Sequence, residues 1–280
     1  MGWETARSYG PAGRASFGPV LPPAPFFPLD DAVPVGDAVY PAETVRAVLG
    51  PYLSDDRRAR IEAVVAARAF GVVPVLEGLV DPGNVNAVLR SAEGLGYGAA
   101  HLVALQGDAA GHARQLATGA GDGGPGAADR RATRRASQGA HKWVEVRSWD
   151  DPAAYVAWVH GQGGRVAVTA LRDDALAVED WDFTGPTALV VGNEHAGASD
   201  AMVEAADAAL RLPLDGFVQS YNVSVAAALA LAHARADRLR RAGRHADLDA
   251  DRRRLLAAHY TARAVPLAAP LLAEHARRHG

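Results

Sequence analysis

An asparagine and an arginine share one short segment in a pattern that could serve chemistry. Asn84 follows a Pro-Gly turn directly after an apolar run, and Arg90 comes later on the same segment. A helix starting here would be capped by Asn84 and would carry Asn86, Arg90 and Glu93 on its polar face. A guanidinium suits bidentate contact with phosphate oxygens. An ordinary capping asparagine and a surface arginine would give the same pattern.

A second stretch, 188–199, reads as a buried strand that ends abruptly in a polar turn. Gly192 and Gly197 would allow another backbone to approach closely. Glu194 could accept hydrogen bonds in a pocket at this position. The carboxyl end of a parallel strand is where α/β proteins bind ligands. A strand-to-helix loop without any function would look similar.

A third stretch, 212–228, combines a strand end, a turn containing glycine, a Ser/Asn cap and a helix start rich in valine and alanine. Pro213 does not suit a central ladder position, so the strand should end there. Small residues at the start of the helix permit close packing against another backbone. A capped core helix explains the cap but not the whole string.

The elements that must position these stretches follow an α/β pattern. Strands are predicted at 72–79, 100–105, 143–146, 165–170, 187–191 and 208–214. Helices are predicted at 42–49, 54–69, 84–94, 152–160, 201–206, 222–241 and within 250–279, and 106–136 is predicted to be a long loop. Ser54 should cap the second helix. Because strands alternate with helices, we expect a mostly parallel sheet with helices on both faces.

Composition restricts the class of protein. The chain has 280 residues, 49% of them hydrophobic, and contains no cysteine, which excludes disulfides and thiolate zinc sites and fits a reducing cytoplasm. We find no membrane-spanning run and no signal peptide. The net charge of −3 argues weakly against a nucleic-acid partner, although distribution matters more than the sum. Lys142 is the only lysine, so the positive charge is almost entirely guanidinium, which codon usage could also explain.

Taken together, the three stretches resemble the TrmH/SpoU branch of the SPOUT RNA methyltransferases. Their order and spacing match those of the three motifs in that family, and the resemblance covers about 55–245. The chain is most similar to members that 2′-O-methylate a guanosine in the tRNA D-loop. Residues 219–226 and 139–144 carry that closer likeness.

The resemblance implies a deep trefoil knot in the C-terminal half, a homodimer, an RNA substrate and S-adenosylmethionine (AdoMet) as methyl donor, with no metal. Arg90 matches the family arginine proposed as general base, but guanidinium scarcely deprotonates. We therefore expect Arg90 to stabilise charge and bind phosphate. The implied catalytic residues are Arg90, Asn84, Glu194, Ser220 and Asn222. The implied cofactor-binding residues are Thr169, Gly192, Leu212, Leu214 and Tyr221.

RNA phosphates should contact two arginine clusters, although each could equally be a solvated face. The expected RNA-binding residues are Arg57, Arg58, Arg60, Arg114, Arg130, Arg131, Arg134 and Arg135. We divide the chain into a Pro/Gly-rich N-terminal arm (1–41), a helical RNA-binding extension (42–70), the SPOUT methyltransferase domain (71–245) and a C-terminal helical tail (246–280).

Some features depart from the family pattern. Asn86 stands where many members have a small residue, Tyr221 replaces a usual leucine, and 1–41 has no counterpart in the short tRNA enzymes.

Three alternatives stay open: a 23S rRNA 2′-O-methyltransferase, including the antibiotic-resistance type; a knotted RNA-binding protein without catalysis; and a nucleotide-dependent oxidoreductase suggested by the glycines at 94, 96 and 98. The oxidoreductase is the weakest of the three, because these glycines follow a helix, whereas those of a dinucleotide-binding fingerprint come after a strand and open a helix.

Overall fold

A parallel β-sheet forms the centre of the chain in the structure, a computed structural model that describes residues 21, 22, 24–118 and 139–279. Its strands are β3 (Val72–Glu77), β4 (Ala99–Val103), β5 (Glu145–Trp149), β6 (Arg165–Thr169), β7 (Leu176–Ala177), β8 (Thr187–Val191) and β9 (Ala208–Arg211). Their order is β5-β4-β3-β8-β6-β9-β7, and every pairing is parallel. This confirms the predicted mostly parallel sheet.

Helices cover both faces of this sheet. They are α1 (Ala42–Leu49), α2 (Asp55–Ala67), α3 (Pro82–Leu95), α4 (Gly107–Thr118), α5 (Pro152–Gly161), α6 (Asp200–Ala205), α7 (Val223–Ala242), α8 (Ala250–Ala264) and α9 (Ala268–His279). Strand β3 is buried throughout and contributes to both sides. Val73 and Val75 join the core under α1, α5 and α8, whereas Leu76 joins the core under α3 and α4.

The beginning of α3 differs from the sequence prediction. Asp81, not Asn84, is the N-cap, and its carboxylate accepts a hydrogen bond of 2.8 Å from the backbone N–H of Gly83. Proline at the next position suits the first helical turn, where no intrahelical donor is needed. The helix therefore starts earlier than predicted, and the side chain of Asn84 is available for other contacts.

A helix, α4, occupies the beginning of the segment predicted to be a long loop. Ala109 and Ala113 lie one turn apart and pack into the core cluster that contains Leu89 of α3. Their burial stabilises this helix, which the sequence did not predict because of the nearby glycines. The covering by α4 also explains why Asn86, predicted on a polar face, is only 1% exposed.

The segments at the two ends of the described chain pack on each other. Helix α1 contacts α8 and α9, and an unpredicted antiparallel hairpin, β1 (Ala32–Val35) with β2 (Ala38–Pro41), lies beside them. Residues 1–20 of the predicted arm lie outside the described residues. Within the described ranges, no helix combines the length and apolarity that crossing a bilayer requires.

Smaller differences concern strand bounds. The predicted strand at 143–146 lies instead at β5, and the two-residue strand β7 was not predicted. Strand β9 ends at Arg211, two residues before Pro213, as the missing proline N–H requires. Ser54 caps α2 as predicted, because its Oγ accepts a hydrogen bond of 3.2 Å from the N–H of Arg57.

Candidate active site

Three neighbouring strands place the predicted cofactor residues at one edge of the sheet. Strand β6 lies between β8 and β9, and all three run in the same direction. Their carboxyl ends therefore meet, which brings Thr169, Gly192 and Leu212 to the edge where open α/β sheets bind ligands. The hydroxyl of Thr169 donates a hydrogen bond of 3.1 Å to the carbonyl of Val190 and so links two of these strands.

The loop after β8 folds back tightly on itself. Asn193 and Gly197 exchange two backbone hydrogen bonds of 2.8 and 3.0 Å. A Cβ added to Gly192 would lie 2.0 Å from the backbone nitrogen of Ala198, so only glycine fits. The side chain of Asn193 closes the turn, because its Oδ1 accepts hydrogen bonds from two backbone N–H groups of the loop. Its Nδ2 donates a hydrogen bond of 2.8 Å to the carbonyl of Gly78.

A direct side-chain contact joins this loop to α3. Nδ2 of Asn84 donates a hydrogen bond of 2.9 Å to Oε1 of Glu194. Burial opposes ionisation of Glu194, but the hydrogen bond from Asn84 and nearby main-chain groups lower its pKa on balance. The Oε2 atom of Glu194 is buried and has no hydrogen-bond partner among the described residues. One oxygen of the Glu194 carboxylate is therefore engaged by Asn84, and the other is buried without a hydrogen bond from the described residues.

The third stretch forms an exposed loop that leads into α7. Leu212 and Leu214 are half-buried, whereas Phe217, Ser220 and Tyr221 are exposed. The hydroxyl of Tyr221 donates a hydrogen bond of 2.9 Å to the carbonyl of Pro213 and so holds the two ends of the loop together.

Asn222 caps α7, as predicted for this stretch. Its Oδ1 accepts hydrogen bonds of 2.9 Å from the backbone N–H and 2.6 Å from the hydroxyl of Ser224. Near the start of α7, Ala227 is buried in the core cluster that contains Val88 and Leu89 of α3, in agreement with the close packing expected from small residues there.

Arg90 lies in a separate cleft of about 270 Å³. This cleft, which we call the arginine cleft, is lined by Arg57, Arg60, Ile61, Val64, Arg90, Glu93, Ala140, Trp143 and Tyr260. The guanidinium of Arg57 is 5.3 Å from the centroid of the Trp143 ring. Below the cleft, the buried Arg68 forms a 2.7 Å ion pair with Glu93. Two of the predicted RNA-binding residues, Arg57 and Arg60, thus join Arg90.

The remaining predicted arginines are placed differently or not described. Arg58 turns away from the cleft and pairs with Asp55 at 2.6 Å. Arg114 belongs to α4, but its side chain lies outside the described residues, as do Arg130, Arg131, Arg134 and Arg135.

Within one chain, Arg90 is not gathered with the other predicted catalytic residues. Asn84 and Arg90 project about 120° apart around the axis of α3. None of the residues that line the arginine cleft comes from 192–199 or 212–222. In a single chain, Asn84 and Glu194 therefore lie together at the sheet edge, whereas Arg90 lies beside α2.

Comparison with known proteins decides the family. The model of the SpoU rRNA Methylase family matches residues 123–232. The tRNA (guanosine(18)-2′-O)-methyltransferase of Thermus thermophilus is 35% identical over 187 residues, which cover 67% of this chain and 86% of that protein. The chain belongs to the SpoU methylase family.

Two further relatives of this SpoU methylase differ in their substrates. The 23S rRNA (guanosine(2553)-2′-O)-methyltransferase RlmP of Bacillus subtilis is 32% identical over 58% of this chain and 57% of that protein. The crystal structure of the A. aeolicus TrmH/SpoU tRNA modifying enzyme shares the fold, with a TM-score of 0.61 and 24% identity over 75% of this chain and 98% of that one.

Sequence reasoning missed several residues of the SpoU methylase's arginine cleft. Trp143 and Tyr260 of the cleft, and Arg68 beneath it, come from segments far apart in sequence, and only their packing against α2 and α3 brings them together. The Gly-Ala-His-Lys-Trp-Val string at 139–144 was the one signal that pointed to Trp143.

Proposed function

We propose that this protein is an AdoMet-dependent RNA ribose 2′-O-methyltransferase that acts on a guanosine in the tRNA D-loop. The observation that carries this proposal is the family membership, with the similarity to the Thermus thermophilus tRNA enzyme extending over most of that relative. The Asn84–Glu194 hydrogen bond, which joins the first and second stretches, supports it independently.

The cofactor would bind at the sheet edge formed by β6, β8 and β9. Thr169, Gly192, Leu212, Leu214 and Tyr221 are the residues that would hold it. The half-buried leucines suit an adenine ring, and the backbone groups of the tight turn after Gly192 suit its polar atoms. We place a trefoil knot here, formed by the segments around 187–199 and 212–228.

The protein's own task would be to orient and activate a ribose hydroxyl. Bound AdoMet supplies an electrophilic methyl group on a sulfonium centre. Asn84 and Glu194 fix the loop after β8, and the unpartnered Oε2 can accept a hydrogen bond from a substrate hydroxyl or an amino group. The guanidinium of Arg90 stabilises negative charge that develops on the 2′-oxygen. Ser220 and Asn222 shape the opposite wall, where Asn222 fixes the start of α7.

A homodimer would complete the site. Phe217 is fully exposed, and Val218, Val225 and Leu229 expose 62, 46 and 43% of their surface on the same loop and helix start. Apolar side chains concentrated like this are typical of a protein interface. A second copy covering them would allow Arg90 of one protomer to face the sheet-edge site of the other, which one chain alone does not achieve.

The arginine cleft would bind RNA phosphates. Arg57, Arg60 and Arg90 surround a space large enough for a phosphate group, and Glu93 is already paired with Arg68. The arginines at 114, 130, 131, 134 and 135 would extend this contact. Such contacts provide affinity without sequence choice.

A ribosomal RNA substrate is the second candidate, favoured by the similarity to the Bacillus subtilis 23S rRNA enzyme. The deciding experiment incubates the protein with labelled AdoMet and either unmodified tRNA or 23S rRNA fragments. We expect label in tRNA as 2′-O-methylguanosine. Label in rRNA alone would establish the second candidate, and AdoMet binding without transfer to either would contradict both.

A further inference from the structure

A helix of the C-terminal tail reaches the arginine cleft. Tyr260 of α8 lines this cleft, and its ring lies edge-on against the ring of Trp143, with the two centroids 5.2 Å apart. The guanidinium of Arg57 lies beside the same Trp143 ring. The function proposed above gives the tail no task, although one of its side chains forms part of the cleft wall.

Two hydrogen bonds fix the hydroxyl of Tyr260. It donates a hydrogen bond of 2.6 Å to the carbonyl of Trp143 and accepts one of 3.2 Å from Nε of Arg68. Burial raises the pKa of Tyr260, so the hydroxyl keeps its proton at neutral pH and remains a donor. A second residue of α8, Arg263, forms an ion pair of 2.6 Å with Glu145 of β5. The tail therefore holds the chain around Trp143 in place.

Arg68 is a buried cation whose hydrogen-bonding groups are all engaged. A guanidinium has five N–H donors, and this side chain is only 1% exposed. Its Nη1 and Nη2 donate four hydrogen bonds of 2.7 to 3.4 Å to Glu93, Tyr97 and Trp143. The hydroxyl of Tyr260 is the fifth acceptor. Without that hydroxyl, Nε would be a buried charged donor with no partner, which costs free energy unless the side chain moves.

The position of Arg68 decides the charge of the cleft. Glu93 is the one acidic side chain among the described residues that line it. Its carboxylate would repel a phosphate, but the guanidinium of Arg68 at 2.7 Å cancels that charge. Within the described part of the chain, no ion pair engages Arg57, Arg60 or Arg90. Their three positive charges therefore remain available to an anion.

We infer that Tyr260 is a positioning residue of the RNA site, because its hydroxyl keeps Arg68 paired with Glu93 and so keeps the cleft suited to phosphate. This rests on the proposed binding of RNA in the arginine cleft. The ligand class is the phosphodiester backbone, which the three arginines of the cleft contact. The tail helix α8 is thus a part of the RNA site and not only a cover for the core.

The test compares Tyr260→Phe with Tyr155→Phe in filter binding of unmodified tRNA at several salt concentrations. Each change removes one buried hydroxyl, and that of Tyr155 lies 3.0 Å from Nδ1 of His101 in the core, outside the cleft. We expect Tyr260→Phe to weaken tRNA affinity by about tenfold and to lower the slope of log K against log salt by about 1, because one uncancelled carboxylate offsets one arginine. Tyr155→Phe should match the wild type. Circular dichroism establishes that both variants are folded.

A second substitution separates this role from a purely structural one. Glu93→Gln removes the carboxylate charge and keeps an acceptor for Arg68. The double variant of Tyr260→Phe with Glu93→Gln should therefore regain the wild-type slope and most of the affinity. Glu93→Gln alone should bind tRNA more tightly than the wild type, because the charge of Arg68 is then uncancelled.

Three results would overturn the inference: wild-type affinity of Tyr260→Phe, a double variant as weak as Tyr260→Phe, or weaker binding by Glu93→Gln. A wild type that binds tRNA as expected but transfers no methyl group would contradict the proposed function and leave this role of Tyr260 standing.

Discussion

Nδ2 of Asn84 donates a 2.9 Å hydrogen bond to Oε1 of Glu194, across a separation of 110 residues in the chain. The contact exists because Asp81 takes over the cap of α3 and leaves Asn84 without a helix-capping task. It joins the start of α3, which follows β3, to the loop after the neighbouring strand β8.

The charge of Glu194 should stabilise the fold at neutral pH. Its pKa is lowered in the folded state, so its stabilising contribution is present above the unfolded value of about 4.3 and is lost as the pH falls through the lowered folded value. Urea unfolding of Glu194→Gln should show reduced stability against wild type at pH 7, and the difference should shrink at pH 3. Glu204→Gln, at an exposed position of α6, should show no such difference. Equal stability of wild type and Glu194→Gln at pH 7 would contradict this.

Gly192 should not tolerate a side chain. An alanine Cβ would meet the backbone of Ala198, which cannot move without opening the turn between Asn193 and Gly197. We expect Gly192→Ala to lower the free energy of unfolding by about 1–3 kcal/mol and to weaken AdoMet binding in calorimetry. Gly161→Ala, where nothing lies within 4 Å, is the matched control and should bind AdoMet normally. Normal binding by Gly192→Ala would show that the turn is not part of the cofactor site.

The buried pair of Arg238 and Asp247 should be important for stability. Its side chains are 1 and 0% exposed, and Asp247 also accepts hydrogen bonds of 2.8 and 2.7 Å from the N–H groups of Phe70 and Gly71. Removing the carboxylate leaves a buried guanidinium without its counter-ion, so Asp247→Ala should lose about 3–5 kcal/mol in denaturant unfolding.

Asp174→Ala is the control for this pair, because it breaks the exposed ion pair with Arg172. We expect it to change stability by less than about 1 kcal/mol. An Asp247→Ala variant as stable as Asp174→Ala would mean that this contact does not hold the C-terminal end of α7 to the residues just before β3.

Phosphate binding in the arginine cleft should appear as salt dependence. Arg57→Ala and Arg60→Ala should each weaken tRNA affinity and reduce the slope of log K against log salt by about 1. Filter binding at several salt concentrations measures this. Arg58→Ala, whose side chain pairs with Asp55 outside the cleft, should keep the wild-type slope. If Arg57→Ala and Arg60→Ala keep the wild-type slope, as Arg58→Ala should, the cleft is not a phosphate site.

Local patterns in the sequence were sufficient to predict most elements of the sheet. Strand β8 was predicted at its observed bounds, and α1 likewise, because an apolar run or an amphipathic period identifies each without reference to its neighbours. Helix α4 could not be found this way, since its glycine content opposes a helix and the burial of Ala109 and Ala113 overrides it. The hairpin β1–β2 was missed because its short strands depend on packing beside α8.

The resemblance supplied the residues of the candidate site but not their arrangement. Resemblance selected Asn84, Glu194 and Arg90, but the sequence assigned Asn84 to a cap and gave no sign that Arg90 would face a different cleft. Both outcomes depend on long-range contacts: the loop after β8 reaches Asn84, and α2 with Trp143 surrounds Arg90. The contact of Tyr260 with Arg68 likewise joins residues that are 192 positions apart in the chain.

The central claim is most directly tested by mapping 2′-O-methyl groups in unmodified tRNA after incubation with AdoMet and either wild-type protein or Arg90→Ala. Arg58→Ala serves as the control for loss of a surface arginine. The proposed function predicts 2′-O-methylguanosine in the D-loop with wild type and Arg58→Ala, and none with Arg90→Ala, which should still bind AdoMet in calorimetry. Wild-type methylation by Arg90→Ala, or a wild-type protein that methylates no ribose, would contradict it.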